Sequence, residues 1–450
     1  MKIGLVQPKY RSVWEALALG YMGSYLDQHL PELEFYFGQG FFDPREDIIR
    51  KCAECDIVGV SATTPVFPEA TRIAREIKLL NPNVKTVLGG YMATAMPNWC
   101  AEYSEWDYVV VGEGEWAMLS IAKGEIKSRI VHSQNISPLD DIPCPDRKLI
   151  RNERTIQLTE KNDGERITAI LSQRGCPYSC NFCADGSGLL QETNDSQLGF
   201  LRTGHSMWGM KMRYHSIERV YSEMKQTIED WNLDLLKFCD MTTNSDKRRL
   251  KDLCRLIINN GGFGHCQIGS NLHAAPVDEE LCQLLAKAGW REVWIGVEAA
   301  TDRLLATLGK RITVKQVVDA FRWAHEAGLK TRAYFQIGHW HETEEDIQAI
   351  PELVKEIRPE IFGTTITCPY PGTQVFLELT VEERKRMLQW DFLEELDEYG
   401  NPIRHTPRFT NEQLVGWQRW LCEQIPQETQ LSWRTKEIVG RQKNLLYMEK

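Results

Sequence analysis

No apolar run in this chain approaches the roughly 18 residues that cross a membrane. Its start, MKIGLVQPKY, has the pattern of a first β-strand rather than of a signal peptide. Positive charge is in deficit: 53 Lys and Arg face 63 Asp and Glu, a formal net charge of −10. That argues against nucleic acid or anionic lipid as a partner, while leaving room for a local basic groove. No low-complexity tract interrupts the 450 residues. The 13 cysteines are odd in number and scattered rather than arranged as a disulfide framework. The expected setting is therefore a reducing cytoplasm, with thiols free or committed to metal. One further absence is local. The stretch SQRGCPYSCNFCADGSG (172–188) holds Cys176, Cys180 and Cys183 but no fourth cysteine.

What is present is alternation. KIGLVQ, EFYFG, DIVGVSA, VKTVLGG and DYVVVGEGE are short apolar runs suited to buried parallel strands. Helical patterns such as VWEALALGYMGSYLDQHL and PEATRIAREIKLLN separate them. Ser61, Thr63, Thr64, Gly89, Gly90, Gly112 and Gly114 fall at strand ends. An open α/β sheet binds its ligand there, and small side chains let a large planar or phosphorylated molecule approach the backbone. These features predict a doubly wound domain over 1–136, followed by a linker, 137–166, that opens with SPLDDIPCPDRKLI. Six further strand-and-helix repeats over 167–375 predict a curled parallel sheet with its reactive groups at the strand C-termini. The Trp-, Glu- and Arg-rich remainder, 376–450, is predicted to be a helical extension.

Three thiolates spaced CxxxCxxC can ligate three irons of a four-iron cluster, whereas closed sites of that kind use four. A trio leaves one iron with an open position, as catalytic metal centres do. The alternative, a zinc-binding or merely structural cysteine loop, wants a CxxC or HxxxH partner that the flanking sequence does not offer.

CxxxCxxC after the first strand of a six-repeat β/α barrel resembles the radical S-adenosylmethionine (SAM) superfamily. VWIGVEAATDRLLATLGKRITVKQVVDAFRWAHEAGLK resembles its fourth strand and following helix, and TTITCPYPGT (364–373) the turn after its sixth strand. VLGGYMAT and DYVVVGEGE resemble the subgroup with an N-terminal cobalamin-binding domain. The resemblance spans roughly residues 1–375. It implies a Rossmann-like cobalamin-binding domain joined to a partial (β/α)6 TIM-like barrel. It also implies a 4Fe-4S cluster on Cys176, Cys180 and Cys183, with SAM chelated to the open iron. One electron from an external donor such as flavodoxin or ferredoxin would then cleave SAM to methionine and a 5′-deoxyadenosyl radical.

The resemblance places Glu298 near the SAM ribose and Phe182, between two of the cysteines, among the SAM-binding residues. Where the family has a Gly-rich turn for the SAM amino group, this chain has Asp240 and the cluster Thr242–Asn244, with capping of the next helix as the plainer reading of Asp240. Ser270 and Asn271 are candidates for the SAM carboxylate, and Gln336 for a further contact. Ser61, Thr63, Thr64, Gly90 and Gly112 would line a cobalamin crevice, with Met92 standing where relatives have His. DQHLPE lacks the arrangement of a cobalamin-ligating DxHxxG, so His29 is expected on the surface at a helix end.

Two stretches are particular to this chain. Residues 184–213 form a long connection whose Met207, Trp208, Met210 and Met212 are expected to pack, as a lid would. GHWHETEED (338–346) replaces a GLPGET turn. In it His339 and His341 are candidates for substrate recognition or proton transfer, with a loop capped by Thr343 as the plainer reading. Tyr370 and Cys368 are placed to reach the active site, Cys368 as a hydrogen donor to a product radical. Cys52 and Cys55 read as part of a helical face.

The expected reaction is methylation of an unactivated carbon in a small molecule or peptide, one SAM methylating cobalamin and a second yielding the radical. Ring formation or rearrangement with the same cofactors is the alternative. A methylthiotransferase would show further cysteines at N-terminal strand ends, whereas Cys52, Cys55 and Cys100 fall on predicted helices.

Overall fold

Short β-rich runs make the first sheet: β1 (Lys2–Gln7), β2 (Glu34–Gln39), β3 (Ile57–Ser61), β4 (Lys85–Gly89), β5 (Tyr108–Val111) and β6 (Ile130–His132). The computed structural model describes every residue except 11–12, 14, 186–189, 193–199, 203–211, 392, 394–404 and 427–450. The strands are parallel in the order β2-β1-β3-β4-β5-β6. The sequence predicts five of them. β6 has only Val131 buried and is too short to register as an apolar run.

Helices cover both faces, which is why the central strands are apolar on both sides. Phe67–Leu80 buries Phe67, Ala70, Ile73, Ala74 and Ile77, one stripe at helical spacing, against one face. Leu17–His29 and Gly114–Ala122 close the other. His29 ends its helix exposed, as expected. Because the chain reverses direction around β1, the strand C-termini open a crevice there. Gly90 turns the chain at its edge with φ of +93°, and a Cβ would stand 2.7 Å from the Ala62 carbonyl oxygen. Gly90→Ala is therefore expected to cost about 1–3 kcal/mol. Denaturant unfolding measures this, and wild-type stability in the variant would contradict the geometry.

The segment 137–166 is more than a tether. It contains the helix Asn152–Asp163, which sequence reasoning missed because that helix buries only Asn152, Thr155 and Ile156. Arg151 and Arg154 reach back to Asp43 at 2.8 and 2.7 Å, while Arg147 donates to the Ala169 carbonyl at 2.7 Å. The segment thus braces the two domains.

The second sheet starts with β7 (Ile167–Ile170). Four short strands follow: β8 (Gln173–Arg174), β9 (Leu190–Glu192), β10 (Phe200–Arg202) and β11 (Arg213–Tyr214). They pair antiparallel as β8 with β11 and β9 with β10. Met207, Trp208 and Met210, expected to pack as a lid, lie outside the described residues, and Met212 is half-buried. Glu192 accepts the backbone N–H groups of Asn98 and Trp99, both at 2.9 Å, so this connection docks on the first domain.

The remaining strands are β12 (Leu235–Phe238), β13 (Gln267–Leu272), β14 (Trp290–Glu298), β15 (Lys330–Ile337) and β16 (Ile361–Ile366). The order β16-β15-β14-β13-β12-β7 is parallel throughout and leaves β7 and β16 unpaired with each other, a partial barrel. Ser216, Asp246, Asp278, Thr301, Thr313 and Thr343 cap the helices between strands, each side chain accepting a backbone N–H three residues on. The extension contributes Val381–Leu388 and Asn411–Gln424. No helix among the described residues is long and apolar enough to cross a membrane.

Candidate active site

Gly175, at φ of +101°, turns the chain out of β8 into Cys176. The cysteine loop that follows is pinned on three sides. Asn181 donates its backbone N–H to Leu308 O at 3.0 Å and its amide to Thr307 O at 3.2 Å. Its own carbonyl accepts from Gln374 at 2.9 Å. Tyr178 stacks on His273 at 3.7 Å with rings 6° from parallel. Cys176, Cys180 and Cys183 are half-buried, and Asp185 N–H points at the Cys183 sulfur at 3.4 Å.

Burial pushes the Cys176 and Cys180 thiols up to about 11, so ligation must displace their protons. Among the described residues no three side chains converge as the ligands of a single ion must. Three thiols that each serve their own iron do not need to converge. The donor set suits a cluster.

The barrel's strand ends surround this loop. Glu298, with φ of +71°, sits where the β14–β15 register shifts, and its carboxylate holds Lys310 Nζ at 3.0 Å. Burial opposes the Lys310 charge, and Glu298 with Cys180 outweighs it, so its pKa lies above the ordinary lysine value. Asp240 does not cap the next helix, a role that falls to Asp246. It receives the Ser172 N–H at 2.8 Å and hydroxyl at 2.6 Å, joining β12 to the entrance of the cysteine loop, while burial raises its carboxyl to about 6. Ser270 is fully buried with its hydroxyl taken by the Trp290 indole N–H at 3.0 Å. Asn271 and Gln336 are half-buried, and Asn271 donates to the Asp240 carbonyl at 3.3 Å.

The GHWHE turn separates its histidines. His341 is exposed. His339 is fully buried, with its ring 5.4 Å from Phe182, Nδ1 3.2 Å from the Thr367 hydroxyl and Nε2 without a hydrogen-bond partner among the described residues. Burial lowers its pKa to about 3, so it is neutral and has no proton to donate from Nε2 when Nδ1 carries the hydrogen. Glu342 fastens the turn by accepting the N–H groups of Gly338 and His339.

Burial raises the Glu342 carboxyl from 4.5 to about 8 against those two bonds. The folded protein thus keeps a proton that the unfolded chain releases. The contribution is fully present below pH 4.5 and lost as pH rises through 8. His339 has the opposite slope, which ends near 6.5. Glu342→Gln is expected to flatten a decline of about 2 kcal/mol between pH 6.5 and 8, and an unchanged pH–stability profile above 6.5 would contradict this.

Opposite the barrel mouth, the first domain's strand ends line a crevice. Ser61, Gly89, Gly90, Gly112 and Gly114 line it, with Tyr21 and Met118. Leu171 and Arg174 close it from the barrel side. Thr63 is exposed, and Thr64 is buried in the turn beyond β3. Met92 does not face the crevice as expected. It is 1% exposed and packs into the apolar cluster behind. Trp340, Cys368 and Tyr370 pack against that same cluster, and Tyr370 stacks on Trp390. Cys52 and Cys55 are buried, their thiols pushed up by burial.

A charge clamp joins the two halves. Arg174 donates to Glu113 at 2.8 Å and Glu115 at 2.6 Å, and Arg213 also pairs with Glu113. Sequence reasoning missed Arg174, the two glutamates and Lys310. A signal existed for the clamp, in the GEGE motif and in an arginine two residues before the first cysteine. For Lys310 there was none beyond its place in the fourth-strand match.

Comparison with known proteins agrees with this geometry. Residues 6–122 match the B12 binding domain model and residues 170–354 the Radical SAM superfamily model. The chain is 28% identical over 386 residues to an uncharacterized methyltransferase of Pyrococcus horikoshii, covering 82% of this chain and 77% of that one. It is 24% identical over 417 residues to the anaerobic magnesium-protoporphyrin IX monomethyl ester cyclase of Rubrivivax gelatinosus, covering 84% and 70%. Its fold matches that of TsrM from Kitasatospora setae, a radical SAM methyltransferase solved with cobalamin and a [4Fe-4S] cluster. The TM-score is 0.71 at 18% identity, covering 94% of this chain and 89% of that one. The chain therefore belongs to the radical SAM superfamily, in the group that carries a B12-binding domain. It is a radical SAM enzyme whose cofactors are a 4Fe-4S cluster, SAM and cobalamin.

Proposed function

We propose that this enzyme methylates an unactivated carbon of a small-molecule or peptide substrate. The supporting observation is the cavity lined jointly by the first domain's strand ends and by Leu171 and Arg174, the latter two residues before the first cysteine. Cys176, Cys180 and Cys183 hold the cluster, and Phe182, Asn271, Glu298 and Gln336 surround SAM. Asp240 acts through Ser172 to set the loop's entrance. Ser61, Gly90 and Gly112 cradle cobalamin, whereas Thr63 and Thr64 lie outside the crevice lining. Together these cofactors supply a carbon radical and a transferable methyl group, given one electron from an external reductant.

The chain's own work is positioning and exclusion of water. Asn181 fixes the loop against the 307–308 turn and Gln374. Trp340, Cys368 and Tyr370 supply apolar packing beside the mouth. His339 is neutral and fully buried beside Phe182, and packs behind the cysteine loop.

Incubation with SAM, reductant and candidate substrates tests the proposal. It expects a product one methyl group heavier, with S-adenosylhomocysteine and 5′-deoxyadenosine in equal amounts. Ring formation is a second reading, favoured by the similarity to the Rubrivivax cyclase. It expects a product that has lost hydrogen, with 5′-deoxyadenosine and no S-adenosylhomocysteine.

A further inference from the structure

Lys310 belongs to a turn built against the cysteine loop. Leu308 O accepts the Asn181 N–H at 3.0 Å. Gly309, at φ of +69°, brings its backbone so close that a Cβ would lie 3.1 Å from Ser179 O and 3.9 Å from the Cys180 Cα. His273 donates to the Lys310 carbonyl at 2.9 Å while its ring stacks on Tyr178 of the same loop.

Lys310 is 9% exposed and its ammonium is held by Glu298, itself 7% exposed. Space for the pair exists because position 296 is glycine, whose Cβ would stand 3.0 Å from Lys310 Nζ. The next cation along the chain, Arg311, is exposed. A buried ammonium held by Glu298, on a backbone that His273 pins beside the cysteine loop, interacts with thiolates there far more strongly than a solvated lysine would.

We infer that Lys310 is a positioning residue that tunes the cluster. Its fixed positive charge offsets the charge of the thiolate-ligated irons, favours the reduced state and so eases the one-electron step that an external donor must drive. The inference rests on Cys176, Cys180 and Cys183 holding that cluster.

The test is an EPR-monitored redox titration of the full-length, cluster-loaded protein. Lys310→Met is expected to lower the ratio of reduced to oxidised cluster about tenfold at a fixed potential, equivalent to about 59 mV for one electron. Lys310→Arg keeps the charge and is expected to stay within about threefold of wild type. A merely structural lysine would change cluster loading or thermal stability without moving the potential. An unchanged potential in cluster-loaded Lys310→Met overturns the inference.

If Lys310→Met fails to load a cluster, Lys310→Gln decides. It keeps a polar side chain of similar length without the charge, and is expected to lower the reduced fraction. An unchanged potential there overturns the inference as well. Failure of the wild-type protein to load any cluster would instead refute the cysteine assignment, a separable outcome.

Discussion

Cys180→Ala is expected to abolish cluster absorbance and to cut reductive SAM cleavage by more than about a thousandfold, because the cofactor carries the chemistry. The loop itself should survive. Asn181, Tyr178 and the 307–310 turn hold it through bonds that need no metal, and Cys180 is only half-buried. Circular dichroism should therefore match wild type while iron content falls. Cys55→Ala is the control. That thiol is buried at 3% exposure beside Gly4 in the first domain, so its loss should leave the cluster untouched. Equal iron loading in Cys180→Ala and wild type would remove Cys180 from the ligand set.

Arg174→Met is the second large effect, and it acts on the junction of the two domains. Arg174, Glu113 and Glu115 are 5%, 4% and 3% exposed. Removing one partner of a buried pair leaves an uncompensated charge and costs about 3–5 kcal/mol. Arg213 still partners Glu113, so the orphan is Glu115. A Glu115→Gln change added to Arg174→Met should recover part of the loss. The cysteines are untouched, so reconstituted iron content should hold, while cobalamin retention falls because Arg174 also closes the crevice over Tyr21. Denaturant unfolding together with cobalamin retention after desalting measures both. A variant within about 1 kcal/mol of wild type would show that the clamp does not hold the domains together.

Much of this architecture was legible because local signals and fold agree. Continuous apolar runs such as DIVGVSA became buried parallel strands, and Thr343 capped its helix as its sequence position foretold. The cysteine spacing pointed to the site before any geometry was known. What escaped reading depends on long-range placement. Lys310 reads as an ordinary cation after a helix, and only the approach of Gly309 to Ser179 turns it into a neighbour of the cysteine loop. Met92 was assigned to the crevice by analogy of position, but an unbranched apolar side chain packs inward when core is within reach. His339 and His341 are two residues apart yet divide between core and solvent, which a turn allows and a motif cannot reveal.

Methyl transfer requires one crevice to hold both cofactors. The most direct measurement follows the methyl group itself. Full-length protein reconstituted anaerobically with iron, sulfide and cobalamin is given trideuteromethyl-labelled SAM and reductant, without substrate, and the products are read by mass spectrometry. S-adenosylhomocysteine is expected in proportion to bound cobalamin, with the label retained in the protein fraction. Cleavage only to 5′-deoxyadenosine and labelled methionine, with no S-adenosylhomocysteine, would contradict it.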